Sequence, residues 1–195
     1  MKILAVETLL QEYEKEASFA CYPDSSIIRN NEHFYIPNFD TNIMAYCGIY
    51  FKIGKIGKCI EPEFIPRYIT QIGAAINFLA FNTLNQCLAK QSPTDIARGF
   101  DRSFAISNDL IKHNNTSHEE TVIAIQYNSI NYSFRITEKL QKKIAHLLSE
   151  ISYYYTVKIG DLFFIPLIQL PETMKKNTDI AIQINTKTIL LCSVQ

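Results

Sequence analysis

The sequence contains no tryptophan and little glycine, with six glycines among 195 residues. It also lacks an excess charge of either sign, because 19 Lys and Arg side chains balance 19 Asp and Glu side chains. A chain without net charge has no global field to attract nucleic acid, so no nucleic-acid partner is expected. The longest apolar stretch, Ile72 to Phe81, contains Asn77 and is too short to cross a bilayer. A membrane is therefore not an expected partner either.

The five cysteines contain no CxxC pair, and none stands at zinc spacing from a histidine. An odd and scattered set is typical of free, buried thiols in a reducing compartment. Residues 1–16 begin with a single Lys and a short apolar run and continue with several Glu, which is not the pattern of a signal peptide. We therefore expect a cytoplasmic protein.

Acidic side chains are absent from two long segments, residues 41–60 and 71–94. Each segment contains a predicted buried strand. Met44 to Lys52 is rich in aromatic and β-branched residues, and Gly73 to Leu79 is almost entirely apolar. Hard divalent cations bind oxygen ligands, largely carboxylates. These two strands therefore supply no carboxylate to a metal ion.

Short strand patterns make up most of the remaining sequence. Thr121 to Tyr127 and Asn131 to Ile136 predict a hairpin around Asn128-Ser129. A periodic apolar run after Thr137 predicts a helix of about 15 residues with that threonine as its N-cap. Further predicted elements are a strand at Lys2 to Val6, an amphipathic helix at Glu7 to Ala17, a helix at about Leu84 to Lys90 and a final hairpin around Asn185-Thr186-Lys187. No repeat or linker divides the chain, so we expect a single α+β, β-rich domain over residues 1–195.

The chain is organised around residues Gln71 to Asp109. This segment combines a buried strand, a short helix, a turn at Ser92-Pro93 and the sequence ARGFD at residues 97–101. The layout resembles the core of the fumarylacetoacetate hydrolase family. Other matching motifs are KILAV at residues 2–6, Tyr22-Pro23, Tyr35-Ile36-Pro37, Ile53-Gly54-Lys55 and Gly160-Asp161 before an apolar strand. The resemblance covers nearly the whole chain and implies that family's mixed β-sheet roll, with a few short helices and one longer helix.

The resemblance also implies a metal site, since enzymes of this family bind Mg²⁺, Mn²⁺ or Ca²⁺ through a Glu-x-Glu pair and a strand Asp. In this sequence the three positions are Tyr46, Gly48 and Asn77. A protonated phenol, a missing side chain and a neutral amide do not replace three carboxylates. We therefore expect no metal ligand and no cofactor.

Other catalytic groups of the family are changed as well. The lid His and the Glu three residues later are Tyr13 and Glu16 in this chain, and the pocket Lys is Arg98. Arginine keeps the positive charge and can bind a carboxylate through two hydrogen bonds, but it does not act as a base. Tyr13 and Glu16 are therefore the candidate catalytic residues. Tyr46, Asn77 and Arg98 are the candidate residues of a remnant ligand pocket.

These changes, together with the replacement of the family's Thr-Gly-Thr-Pro substrate loop by residues 165–168, favour a catalytically degenerate protein, or pseudoenzyme. We expect a metal-free binding or interaction protein that forms a homodimer, pairs with an intact relative or binds a small carboxylate. The alternative is an active hydrolase, isomerase or decarboxylase of a small 2-oxo or β-diketo acid, acting through Arg98 and Glu16. Two structural roles also stay open: Arg98 in an ion pair with Asp95 or Asp101, and Asn77 bonded to neighbouring backbone.

Overall fold

A computed structural model describes residues 1–12, 17–29, 32–112 and 121–195. The strands of this part of the chain are β1 (Ile3–Val6), β2 (Phe19–Tyr22), β3 (Ile27–Ile28), β4 (Ile43–Ile53), β5 (Ile69–Ala80), β6 (Phe104–Ile106), β7 (Ile111–Lys112), β8 (Thr121–Tyr127), β9 (Ile130–Ile136), β10 (Leu162–Gln169), β11 (Thr178–Ile184) and β12 (Lys187–Val194). The helices are α1 (Phe81–Ala89), α2 (Asp95–Arg98) and α3 (Glu138–Tyr154), with 3₁₀ turns at Asp24–Ser26 and Pro62–Arg67.

The strands form two sheets. The larger sheet has the order β2-β1-β10-β4-β5-β6-β3, with β7 paired to β5. It is mixed, because β1 runs parallel to β10 and β3 parallel to β6, whereas β4 is antiparallel to both of its neighbours. The second sheet is antiparallel, in the order β12-β11-β8-β9. This β-rich, curled mixed sheet with a few short helices and the longer α3 confirms the predicted fold class.

The longest strand pair, β4 with β5, is buried on both faces, which explains why its sequence is continuously apolar rather than alternating. One face belongs to the main core, which also includes residues of the second sheet and α3. On that face Phe78 stacks on Phe34, with ring centroids 3.7 Å apart and planes at 10°. The opposite face carries Asn77 and Ala75. Asn77, the buried polar residue of β5, therefore points away from the main core.

Several predicted elements are confirmed. The hairpins β8-β9 and β11-β12 lie where the turn signals place them. Helix α3 begins at Glu138, and the Thr137 hydroxyl accepts a hydrogen bond from the Leu140 N–H at 3.4 Å. The short helix α2 was not predicted. Among the helices of the described residues, none has the length and apolar content that a membrane span requires.

The predicted helix at Glu7 to Ala17 is wrong over Glu7 to Glu12, where the chain forms turns. Apart from the turn bond of the Glu12 N–H to the Leu9 carbonyl, backbone N–H groups here bond to distant residues. The Glu7 N–H donates to the Ser18 carbonyl at 2.8 Å, and the Leu10 N–H donates to the Pro166 carbonyl at 3.0 Å. Tertiary hydrogen bonds and the burial of Leu10 therefore override the local helical pattern.

Asp161 fixes the junction between β1 and β10. Its buried carboxylate accepts hydrogen bonds from the backbone N–H groups of Lys2 at 3.0 Å and Lys158 at 2.8 Å, and it forms an ion pair with the Lys2 ammonium group. Gly160 before it has φ +87°, a left-handed conformation that glycine adopts without strain. The Gly-Asp motif therefore has a structural role, which is to start β10 beside β1.

Replacing Asp161 by Asn is expected to lower the free energy of unfolding by about 2 to 4 kcal/mol. The amide would place an N–H group against a backbone N–H and leave the Lys2 ammonium without its anion. Urea unfolding followed by circular dichroism measures the change. Asp109→Asn is the matched control, because the pair of Asp109 with Lys187 is exposed on both sides and should contribute less than about 1 kcal/mol. Equal losses in the two variants would contradict the anchoring role of Asp161.

Candidate functional site

The candidate site lies on the face of β4 and β5 that points away from the main core. Tyr46 and Asn77 are directly paired in these antiparallel strands, and Gly48 pairs with Ala75 two residues along. Directly opposite residues of adjacent strands project to the same face of a sheet. Tyr46, Gly48 and Asn77, the positions that the resemblance picks out, are therefore neighbours in space.

A cavity of about 20 Å³ lies against this face. A volume of this size holds roughly one water molecule. Its lining residues are Ala5, Val6, Glu7, Tyr22, Tyr46, Asn77, Arg98, Phe164 and Pro166. The structure thus brings Tyr46, Asn77 and Arg98 to one cavity. It adds Glu7 and Tyr22, which sequence analysis did not predict as site residues.

The charged part of the site is an ion pair between Arg98, the last residue of α2, and Glu7, the residue after β1. The Tyr22 hydroxyl donates a hydrogen bond to Glu7 Oε1 at 2.7 Å, so both carboxylate oxygens of Glu7 have a partner. The side chains of Arg98 and Glu7 are 28% and 15% exposed. Arg98 therefore pairs not with its sequence neighbours Asp95 or Asp101 but with Glu7, which is distant in sequence and directly follows β1.

Burial changes the acid–base properties of these groups. Desolvation raises the pKa of the Tyr22 phenol and of the Tyr46 phenol, and it lowers the pKa of the Arg98 guanidinium. Both phenols remain protonated at neutral pH, because a phenol has a pKa near 10 even in water. Arginine keeps its charge at neutral pH, because its pKa in water lies far above 7. The site therefore presents two hydroxyl donors and one cation.

Asn77 is the polar residue on this face that lacks a full set of hydrogen bonds. Its side chain is 94% buried, since its relative exposure is 6%, and among the described residues its amide Nδ2 has no hydrogen-bond partner. Leaving a buried donor unpaired costs about 1 to 3 kcal/mol. The alternative role of Asn77, hydrogen bonding to neighbouring backbone, does not explain this Nδ2 group, because it has no such partner among the described residues. An unpaired donor beside a water-sized cavity fits an acceptor oxygen, from water or from a ligand.

An open groove of about 1060 Å³ lies on the other side of the ion pair. Glu7, Tyr22 and Arg98 line both the groove and the small cavity. Tyr46 and Asn77 line only the cavity. The three shared side chains therefore border both spaces, whereas Asn77 borders the cavity alone.

The described donors do not fit a hard divalent cation. Within the described ranges, no group of three or more His, Cys, Asp or Glu could hold a metal ion. The one carboxylate of the cavity lining is Glu7, which Arg98 binds. At Gly48 a Cβ atom would run into the carbonyl oxygen of Ile165. The predicted catalytic residues Tyr13 and Glu16 lie outside the described residues.

The chain resembles known proteins in its fold but not detectably in its sequence. No sequence profile of a protein family matches the chain, and no curated protein matches it. Solved structures match over nearly its whole length. The fumarylpyruvate hydrolase of Pseudomonas aeruginosa, in complex with Mn²⁺ and pyruvate, has a TM-score of 0.83 at 18% identity and covers 100% of this chain and 89% of its own.

Two further structures are as similar. A fumarylacetoacetate hydrolase family protein of Yersinia pestis has a TM-score of 0.83 at 19% identity, over 100% of this chain and 92% of its own. The 5-carboxymethyl-2-hydroxymuconate delta-isomerase of Mycobacterium smegmatis has a TM-score of 0.80 at 16% identity, over 99% and 76%. The chain therefore has the fold of the fumarylacetoacetate hydrolase family, as the resemblance predicted. Its structural neighbours are hydrolases and isomerases.

The prediction that no cofactor is involved is contradicted by the Pseudomonas protein, which has the same fold and is in complex with Mn²⁺. The prediction treated three strand positions as the whole coordination shell. Cation shells in proteins are instead assembled from several elements and completed by water or by ligand oxygens. The loss of carboxylates at positions 46, 48 and 77 therefore does not by itself establish that metal use is lost. The predictions of a pseudoenzyme and of a homodimer remain predictions.

Replacing Asn77 by Leu is expected to raise the free energy of unfolding by about 1 to 2 kcal/mol, because it removes an unpaired buried amide. Ser107→Ala is the matched control. The Ser107 hydroxyl accepts a hydrogen bond from the Ala74 N–H at 3.0 Å, so its removal should lower stability by about 1 kcal/mol. Chemical unfolding of the two variants measures both changes. Destabilisation by Asn77→Leu would mean that the amide already has its partners.

Proposed function

We propose that this chain is a catalytically degenerate protein of the fumarylacetoacetate hydrolase fold that binds a small 2-oxo carboxylic acid behind Arg98. The observation that carries the proposal is the convergence of one cation, Arg98, and one unpaired donor, Asn77, on the same buried cavity. A carboxylate with a neighbouring carbonyl group is complementary to that pair. The pyruvate bound to the structurally similar Pseudomonas hydrolase supports this class of ligand.

Each residue has a distinct role in this proposal. The guanidinium of Arg98 donates two hydrogen bonds to the ligand carboxylate and neutralises its charge. The Asn77 amide donates to the 2-oxo oxygen, which satisfies a donor that is unpaired among the described residues. The Tyr46 hydroxyl, on the strand beside Asn77, is a further donor to the same oxygen. These three side chains are already buried or half-buried in the folded protein, so ligand binding would not have to remove them from water first.

The catalytic degeneracy is supported by the absence, among the described residues of the cavity, of a free general base. Both phenols are held protonated, because burial raises their pKa. Arg98 does not release its proton, and both carboxylate oxygens of Glu7 already have partners, Arg98 and the Tyr22 hydroxyl. General-base catalysis needs a group that accepts a proton near neutral pH.

A second candidate function is an active hydrolase or isomerase, since structural neighbours of the chain are enzymes of these kinds. In that case Arg98 would bind the substrate carboxylate and Glu16 would be the general acid or base. An acylpyruvate is the substrate that separates the two functions, supplied with Mn²⁺ because the Pseudomonas hydrolase is in complex with this ion.

Pyruvate is expected to raise the unfolding temperature of the wild-type protein, because a ligand that binds only the folded state stabilises it once its concentration exceeds its Kd. In Arg98→Gln, the same rise in the unfolding temperature should require a pyruvate concentration about tenfold higher or more. Thermal unfolding with pyruvate, each time with and without Mn²⁺, separates the role of Arg98 from that of a cation. Arg102→Gln is the matched control, since Arg102 forms an exposed pair with Glu32. Equal midpoint shifts in the two variants would contradict the proposed site.

No turnover of the acylpyruvate is expected, with or without Mn²⁺, at enzyme concentrations at which pyruvate binding is saturated. Product formation followed by chromatography is the measurement. Turnover that disappears in Glu16→Gln would instead support the active enzyme and refute degeneracy.

A further inference from the structure

Glu7 occupies the part of the site where a ligand carboxylate would bind. One of its carboxylate oxygens pairs with Arg98 Nη1, and the other accepts the hydrogen bond of the Tyr22 hydroxyl at 2.7 Å. A guanidinium and a phenol on the two oxygens are the partners that a bound carboxylic acid would seek. The chain therefore supplies its own carboxylate to this cradle, which consists of Tyr22 and Arg98.

The backbone holds Glu7 in this place. Glu7 directly follows β1, and its N–H donates to the Ser18 carbonyl at 2.8 Å. Its carboxylate is mostly buried, and a buried carboxylate is stable only when it is paired. Removing the pair with Arg98 therefore requires another anion for the arginine, or solvent for both groups.

Among the described residues that line this site, Arg98 is also the one cation. Among the described residues that line the groove or the cavity, no other Lys or Arg occurs, and Asp95 adds a negative charge to the groove. In the described part of the lining, an acid that enters the groove finds no second basic side chain. It must compete with Glu7 for Arg98.

The side chains of Glu7, Tyr22 and Arg98 border both the groove and the cavity. The cavity holds about 20 Å³, enough for one water but too small for pyruvate, whereas the groove holds about 1060 Å³. Displacement of the Glu7 side chain from Arg98 would join the two spaces and open a route from the groove to Asn77. The ion pair of Glu7 with Arg98 would therefore affect both anion binding and passage from the groove to the cavity.

We infer that Glu7 is an internal competitor of the acid ligand, whose carboxylate fills the Tyr22 and Arg98 cradle until a ligand carboxylate replaces it. This inference rests on the proposed function for the identity of the ligand class. It makes Glu7 a residue that sets ligand affinity without being needed for ligand binding. The apparent affinity of the wild-type protein is then the intrinsic affinity reduced by the small fraction of molecules in which Glu7 has left Arg98.

Chemical rescue tests the cradle itself. Glu7→Ala removes a fragment that corresponds to acetate, so acetate is expected to raise the unfolding temperature of this variant with a saturable dose dependence. The wild-type protein and the double variant Glu7→Ala/Arg98→Gln should not respond beyond the effect of chloride at equal ionic strength. An equal response to acetate in all three proteins, or no response in Glu7→Ala, would overturn the inference.

Glu7→Gln provides a second variant if Glu7→Ala does not fold, because glutamine keeps an acceptor for the Tyr22 hydroxyl and fills nearly the same volume. Pyruvate is expected to bind Glu7→Gln about tenfold more tightly than the wild-type protein in isothermal titration. Equal or weaker binding would overturn the inference.

The two variants also separate this inference from the proposed function. Acetate rescue of Glu7→Ala without pyruvate binding to any form would support the internal competitor and refute the 2-oxo acid as ligand. Pyruvate binding of equal strength to wild type and Glu7→Gln, without acetate rescue, would refute the internal competitor and leave the proposed function intact.

Discussion

The burial of β4 and β5 on both faces is the constraint on which the rest of the structure depends. A strand pair covered on both sides must be apolar, and every polar group placed on it needs a partner within the protein or in a bound molecule. Phe78 is apolar and stacks on Phe34 in the main core. The neighbouring Asn77 is polar, and its amide has no partner among the described residues. A local conflict of this kind in an otherwise consistent sheet is more informative about function than any surface feature.

The second constraint is electrostatic. The site has one described cation, Arg98, and the protein has no excess positive charge elsewhere to support it. In a partly buried position a guanidinium must be neutralised, and Glu7 does this with the help of Tyr22. If the site binds an acid as proposed, stability and ligand binding depend on the same contact, so that a tighter internal pair makes a weaker binding site.

Sequence patterns predicted the parts of the fold that depend on local chemistry. The Thr137 cap, the Asn128-Ser129 hairpin and the apolar β5 follow from side-chain preferences within a few residues of each other. The resemblance to the family placed Tyr46, Asn77 and Arg98, which the fold indeed brings to one cavity. Glu7 was missed because a Glu after an apolar strand is equally typical of a helix start, and the predicted helix there is wrong. Only tertiary contacts show that it faces Arg98.

The backbone around Gly48 leaves no room for a side chain at this position. A Cβ atom at this position would run into the Ile165 carbonyl oxygen, next to the irregularity in the pairing of β10 with β4 between Pro166 and Ile168. A carboxylate could return to position 48 only if β10 moved, and such a shift would disturb the pairing of β10 with β1 that Asp161 anchors. Any cation bound on this face would therefore have to use other donors, such as Asn77 and a displaced Glu7.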